Sequence, residues 1–460
     1  MMRRTCVLAA VLLQFAIAQE KPAATADPIR TTIDAAIDWI AHQAVPVEGH
    51  EHAIRFPTTA EQPKEVSDIV YGGSAGVLVF LENAAKVLDH ARARELADET
   101  AAGLLASARH DDKGITWAAD PREQGSAALY LGDAGIGAAF LVRARLRHDD
   151  AALKVAREVG DGLLARGKHK DGELSWDRQV EVIYGASGTA LFLLELADAS
   201  GDAKYRDAAH AVGRFLIGES DLIDKTPKQR HWSWDLAGGA TYTGFSHGTA
   251  GVAYTLLRIG KACDDDACVQ AAKDGAEWLA SLAVTKDDLV SWPAAPNTKV
   301  ALGGWCHGPP GTARLFLLLH EVTGEQRWLD LVRASSRWVM AQAGPEDKEI
   351  TPSFPPSFCC GVGGVIDWFC DLSRVTGEKE YAAFARRAAQ YLVTTAQHDD
   401  HGAKWANGSN AHQSDRSQHG VDLMLGASGE AFALLRVLTL DAKSDPVVGL
   451  PDRAVVLRKG

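Results

Sequence analysis

The chain has 460 residues, 46% of them hydrophobic and 23% charged, with a formal net charge of -12. That balance is ordinary for a folded globular protein, but too acidic for a surface that grips nucleic acid or anionic lipid, because phosphate binding needs clustered Lys and Arg. The length suits two or three average domains, or one large domain built from repeats.

The N-terminus reads first. Residues 1–4 are basic, residues 6–17 almost wholly apolar, and a small-x-small pattern ends at Ala18. This order predicts a signal peptide over 1–18, cleaved after Ala18, and so an exported protein, periplasmic or secreted. Arg3 and Arg4 form a loose match to a twin-arginine export signal. The apolar run is short for a membrane span and no other stretch is long enough, so no stable membrane insertion is expected.

From Gly73 onward one element recurs: a polar turn, Gly-x-x-Gly, then an apolar run. It starts at Gly73, Gly132, Gly185, Gly248, Gly308, Gly361 and Gly426, at spacings of 59, 53, 63, 60, 53 and 65 residues. Between copies stand SGDAKY, TGEQRW and TGEKEY, each closing an apolar helix on glycine and opening an amphipathic one on an acidic residue. Each repeat is therefore an apolar inner helix paired with an amphipathic outer one. The first and seventh copies match the middle ones, whereas an open solenoid needs atypical ends. The expected fold is all-α, an α/α toroid of seven inner and seven outer helices over residues 28–440, with 441–460 as a polar, extended C-terminal tail and a monomer as the state. All seven glycine turns then gather at one mouth. Stretches carrying Trp117, Trp176, Trp232, Trp234, Trp292 and Trp405 precede several inner helices. They are expected to form hairpins over that mouth, with the indoles plugging gaps between helix pairs or lining a groove.

Seven cysteines include Cys6 in the signal region and Cys370 on an apolar helix pattern. Cys263 and Cys268, in CDDDAC, can close a small disulfide loop in an oxidising compartment or stay as free thiols. The remaining three lie at the glycine turns of repeats five and six. Cys306 precedes His307 in GGWCHGPPG, and Cys359 and Cys360 adjoin in SFCCGVGG. A ring makes these repeats neighbours and brings three thiols to helix N-termini, where the positive field favours thiolates. Zinc suits three such ligands, and a vacant fourth position is the catalytic pattern. The alternatives are buried small residues or a disulfide from Cys306. His307 can serve as ligand or as nearby acid or base. His247, in FSHGTAG, sits at the same rim level as Cys360 and can act as acid or base, or merely cap its helix. Glu181, four residues before Gly185, can orient His247 or remain a solvated carboxylate.

At these residues the chain resembles the lanthionine synthetase C-like proteins. GWCHGPPG is similar to that family's Trp-Cys-x-Gly-x-x-Gly, FCCG to its Cys-His-Gly, and SHGTAG to its catalytic-histidine motif. The resemblance runs through all seven repeats. It implies an α/α toroid with one zinc ion, held by Cys306, Cys359 and Cys360 in a Cys-Cys-Gly variant of the site. His247 then matches the catalytic histidine, and Glu181 stands where an aspartate is usual. The implied activity is addition of a cysteine or other thiol to a dehydroalanine or dehydrobutyrine of a peptide, giving a thioether. A dehydrated peptide or a small thiol is the implied partner. Cys360 replaces a usual histidine ligand, and Leu302 stands where an arginine is frequent. Two other readings compete: an exported carbohydrate-active toroid, which needs a carboxylate pair such as Glu181 with Asp422, and a non-catalytic toroid that binds peptide around a structural metal.

Overall fold

The Gly-x-x-Gly spacing has a steric cause. A Cβ on Gly308 would lie 2.4 Å from the carbonyl oxygen of Leu302, and one on Gly311 would lie 2.0 Å from that of Trp305. Both clashes fall on the residue six positions earlier, and every repeat shows the same pair. Only glycine lets the preceding loop fold back tightly over the first turn of each inner helix. The second glycine also receives the neighbouring repeat: a Cβ on Gly311 would meet Phe245 at 2.6 Å, and one on Gly76 would meet Leu423 of the seventh repeat at 2.8 Å.

The computed structural model describes residues 27–234, 236, 238–342, 354–406 and 418–453; the expected signal peptide lies outside them. Among the described residues the helices are α1 (Pro28–His42), α2 (Ser74–Val87), α3 (Ala91–Ser107), α4 (Asp133–Arg147), α5 (Asp150–Arg166), α6 (Ala186–Ser200) and α7 (Ala203–Gly218). They continue as α8 (Thr249–Cys263), α9 (Asp266–Leu282), α10 (Pro309–Thr323), α11 (Gln326–Gln342), α12 (Val362–Thr376), α13 (Lys379–Thr395) and α14 (Ala427–Leu438). The even-numbered helices are the inner ring. Each follows a glycine N-cap and has eleven or twelve buried residues, among them at least its first nine. The ring closes, because α14 packs on both α12 and α2. The fold is the expected α/α toroid with seven inner and seven outer helices. One detail differs from seven sequential pairs: among the described residues no outer helix follows α14, and α1 packs on it instead. The hydrophobic face of α1 (Ile33, Ile37, Ile40) closes the circle. Among the described residues, no helix is long and apolar enough to cross a membrane.

Gly201, Gly324 and Gly377 end inner helices at φ +68°, +71° and +72°, as the turn motifs predict. Outer helices α3, α5, α7, α9 and α13 run into short antiparallel hairpins at the mouth. The indole N–H of Trp117, Trp176, Trp232, Trp292 or Trp405 donates to a carbonyl near the end of the helix just finished, at 2.6–2.9 Å. These tryptophans satisfy helix C-termini and fill gaps between helix pairs.

Residues 441–453 do not stand off as a tail. Val448 exchanges two hydrogen bonds with Asn83, and Arg314 donates to the Asp452 carbonyl. Asp445 and Arg453 join a buried network in which Arg436 pairs with Asp367, Asp371 and Asp445. Residues 441–444 are exposed, but the charges of Asp445, Asp452 and Arg453 partner buried charges of the inner helices. Cys263 and Cys268 are free thiols, and Cys370 is buried on α12.

Candidate metal centre

The residue two before each inner-helix glycine holds the mouth together through its backbone. Ser246 N–H donates to Cys306 O, Cys306 N–H to Cys359 O, and Cys359 N–H to Met424 O, at 2.8–3.1 Å. This chain of bonds sets Cys306 beside Cys359 and, with it, Cys360. Sγ of Cys360 lies 3.4 Å from that of Cys306 and 3.4 Å from that of Cys359. All three sulfurs fall within 4.8 Å. None is in a disulfide.

The donor set fits a soft cation. Sulfurs around tetrahedral zinc stand about 3.8 Å apart, given Zn–S bonds of about 2.3 Å. Without a cation the three thiols cannot all ionise. Hydrogen bonding with Cys306 and then Cys359 holds the pKa of Cys360 well below the usual thiol range, while hydrogen bonding with Cys359 and then Cys360, followed by burial, pushes Cys306 well above it. A divalent cation among them removes that conflict. Tyr71 adds a donor that the sequence reading did not single out: its hydroxyl donates to Cys359 Sγ at 3.3 Å. It occupies the same register, two before the glycine, as Cys306 and Cys359, so aligning the repeats by register would have flagged it.

His247 and Glu181 are brought together. Nδ1 of His247 and Oε2 of Glu181 are 2.6 Å apart. Glu181 is fully buried, and its carboxylate also accepts the N–H groups of Ile183 at 3.0 Å and Tyr184 at 2.5 Å. It is not a solvated carboxylate. Those bonds fix it as an acceptor, so Nδ1 carries the proton and Nε2 is the nitrogen free to exchange one at the cavity His247 lines. Trp234 stacks on the imidazole at 4.0 Å and 9°. It belongs to an extra hairpin, Ser233–Trp234 with Ala240–Thr241, that interrupts the fourth repeat. Trp232, two residues earlier, caps a helix like the other tryptophans; nothing in the local sequence separates the two roles. His307 faces His247 at 5.8 Å between ring centres. Burial, and then the neighbouring His247, bring its pKa down to about 4.

A cavity of about 490 Å³ opens over this group, lined by Tyr71, His247, His307 and the three cysteines and rimmed by Leu302, Trp338 and Phe354. Glu181 and Asp422 do not line it. Asp422 turns inward onto the N–H groups of Met424 and Leu425, and burial pushes its carboxyl up to about 7. The carboxylate pair that sugar hydrolysis requires is thus not presented to this cavity.

Fold and site together define a helical toroid with a trithiol centre and a carboxylate-oriented histidine at its mouth. The chain belongs to the lanthionine synthetase C-like protein family, whose model matches residues 64–448. It is 22% identical over 192 residues to glutathione S-transferase LANCL1 of Danio rerio, a match spanning 42% of this chain and 44% of that relative. Among solved structures it is similar to nisin cyclase, with a TM-score of 0.58 and 15% identity, covering 82% of this chain and 89% of the other. An α-1,6-mannanase from Salegentibacter sp. HEL1_6 aligns at a TM-score of 0.49 and 13% identity over 90% and 99% of the two chains, too distant to bear on function.

Proposed function

We propose that the protein adds a thiol across the double bond of a dehydroalanine or dehydrobutyrine residue in a peptide, with zinc held by Cys306, Cys359 and Cys360. The observation that carries this reading is the juxtaposition, in one cavity, of three thiols within 4.8 Å and a histidine whose Nδ1 is tied to a buried carboxylate at 2.6 Å. Zinc bound there supplies a Lewis acid that lowers the pKa of an incoming thiol. The chain's own residues do the rest. Nε2 of His247 takes the thiol proton, and Glu181 stabilises the imidazolium that results. The sulfur electron pair forms the C–S bond at the β-carbon, and the displaced π pair moves to the α-carbon and its carbonyl. His247 returns the proton to the α-carbon, so the addition is redox-neutral and needs no co-reactant. Trp234 holds the imidazole plane and keeps water from its face.

The test is metal content followed by activity. Purified protein is expected to carry one zinc per chain and to alkylate a thiol with a dehydroalanine peptide. Cys306→Ala, Cys359→Ala and Cys360→Ala should each lose both. A metal-free wild type that still forms thioether, or a zinc-loaded one that never does, refutes the reading.

A further inference from the structure

Residues 445–453 are held by inner helices from around the ring. Asn83 of α2 exchanges two hydrogen bonds with the Val448 main chain. From α8, the Tyr254 hydroxyl donates to the Arg453 carbonyl at 3.1 Å, and Arg258 donates to that of Pro451 at 3.3 Å. Arg314 of α10 donates to the Asp452 carbonyl at 3.1 Å. Asp371 of α12 pairs with Arg453, and Arg436 of α14 with Asp445. These inner-helix residues stand six or ten positions after their repeat glycine, on one helical face. A short segment that touches the first, fourth, fifth, sixth and seventh repeats at once on that face lies on the axis of the ring.

From the axis, Asp452 reaches the underside of the mouth. It is buried, and its carboxylate lies 3.8 Å from Nη1 of Arg314. The Tyr130 hydroxyl donates to that carboxylate. Tyr130 is buried two residues before its glycine, the register that also holds Cys306 and Cys359. Its ring packs on Trp305, the residue before Cys306, at 5.3 Å, and edge-on to Tyr71 at 6.4 Å. Its carbonyl accepts the Tyr71 N–H at 2.9 Å, and the Tyr71 hydroxyl donates to Cys359 Sγ. The Arg314 guanidinium lies 5.7 Å from the Phe245 ring, which packs on Trp305. One aromatic layer of Tyr71, Tyr130, Phe245 and Trp305 thus lies between the C-terminal segment and the thiols.

On the reading of the three thiols as a metal site, we propose that Asp452 is a positioning residue for it: by holding Tyr130, it fixes the aromatic floor on which Cys306 and Cys359 stand. A buried hydroxyl deprived of its acceptor is driven toward another one. In close-packed surroundings the rings beside it must move with it. The sulfurs then leave the spacing that suits a cation, and retention of the metal weakens, as it does when an outer partner of a ligand set is lost.

The experiment measures zinc release to a chromophoric chelator beside urea midpoints, on the zinc-loaded full chain. Asp452→Ala and Tyr130→Phe should each speed release about tenfold, the low end for an outer partner of a ligand. The double variant should be no faster than either alone, because both remove one hydrogen bond. Asp452→Asn keeps an oxygen that accepts the hydroxyl and should restore release close to the wild-type rate. Arg436→Ala is the control: it loosens the same segment at Asp445, away from Tyr130, and should lower the midpoint with release unchanged. If Asp452→Ala and Tyr130→Phe lower only the midpoint, as the control does, or if their effects on release simply add, the positioning role falls and the metal site stands. If the wild type takes up no zinc, the metal reading falls and this role with it.

Discussion

At the end of the ring where the inner helices begin, three thiols sit within 4.8 Å of one another, and the described cavity walls carry no Lys, Arg, Asp or Glu. From the middle of the same helices toward their C-terminal ends, buried Arg314 and Arg436 interleave with buried Asp367 and Asp371, joined by half-buried Asp445 and Arg453 from the segment after α14. One repeat builds both ends, yet they treat charge in opposite ways. Helix N-termini present unpaired N–H groups and a positive field, which suits thiolates and a carboxylate turn. The far end is filled by a network that residues 441–453 complete and seal. The first arrangement leaves a cavity over the three thiols. The second ties the helices together through ion pairs.

The comparison breaks most visibly at the far end. Arg436→Ala leaves Asp367, Asp371 and Asp445 without their shared partner, and the expected loss is about 3–5 kcal/mol in the stability read from urea midpoints. Metal content of the molecules that remain folded should not change. A loss under about 1 kcal/mol would mean that the network is not what cements this end.

At the mouth the order of effects should reverse. His247→Asn is expected to lower turnover by about 10²–10⁴-fold while moving the unfolding midpoint little. Glu181→Gln should give a smaller drop, because the ring stays stacked on Trp234 but loses its anionic partner. If His247→Asn keeps full rate, the histidine is a helix cap and no more.

The smallest expected effect sharpens the chemistry of the thiols. Tyr71→Phe deletes the hydroxyl that donates to Cys359 and should weaken zinc retention about tenfold against a chromophoric chelator, with stability nearly unchanged. Unaltered retention would make Tyr71 a packing residue.

Much of this was legible before any coordinates. The repeat showed because each glycine answers a local clash with a carbonyl six residues earlier, a constraint within one short stretch of chain. The thiols showed because their register against those glycines is the same in neighbouring repeats. The capping tryptophans carried an unused signal: Trp117, Trp176, Trp292 and Trp405 each follow a leucine by thirteen residues, and that leucine's carbonyl is the one they satisfy.

What stayed hidden depends on contacts between distant parts of the chain. Tyr71 meets Cys359 across 288 residues, and Asn83 meets Val448 across 365. No local spacing records such pairs. The outer helix of the seventh repeat comes from the N-terminus because a closed ring needs a partner for α14, and only closure shows which segment supplies it. Trp234 stacks on His247, whereas Trp232, two residues earlier, caps α7, and only the packed ring separates the two. By itself, then, the sequence determined the helices, their order, the glycine turns and the rim level of Cys306, Cys359, Cys360, His247 and Glu181, all through short-range sterics and periodicity. Tertiary structure alone decided that Glu181 is buried against His247, that Asp422 is turned away from the cavity, and that the segment after α14 locks the far end, because each follows from which side chains meet when the ring closes.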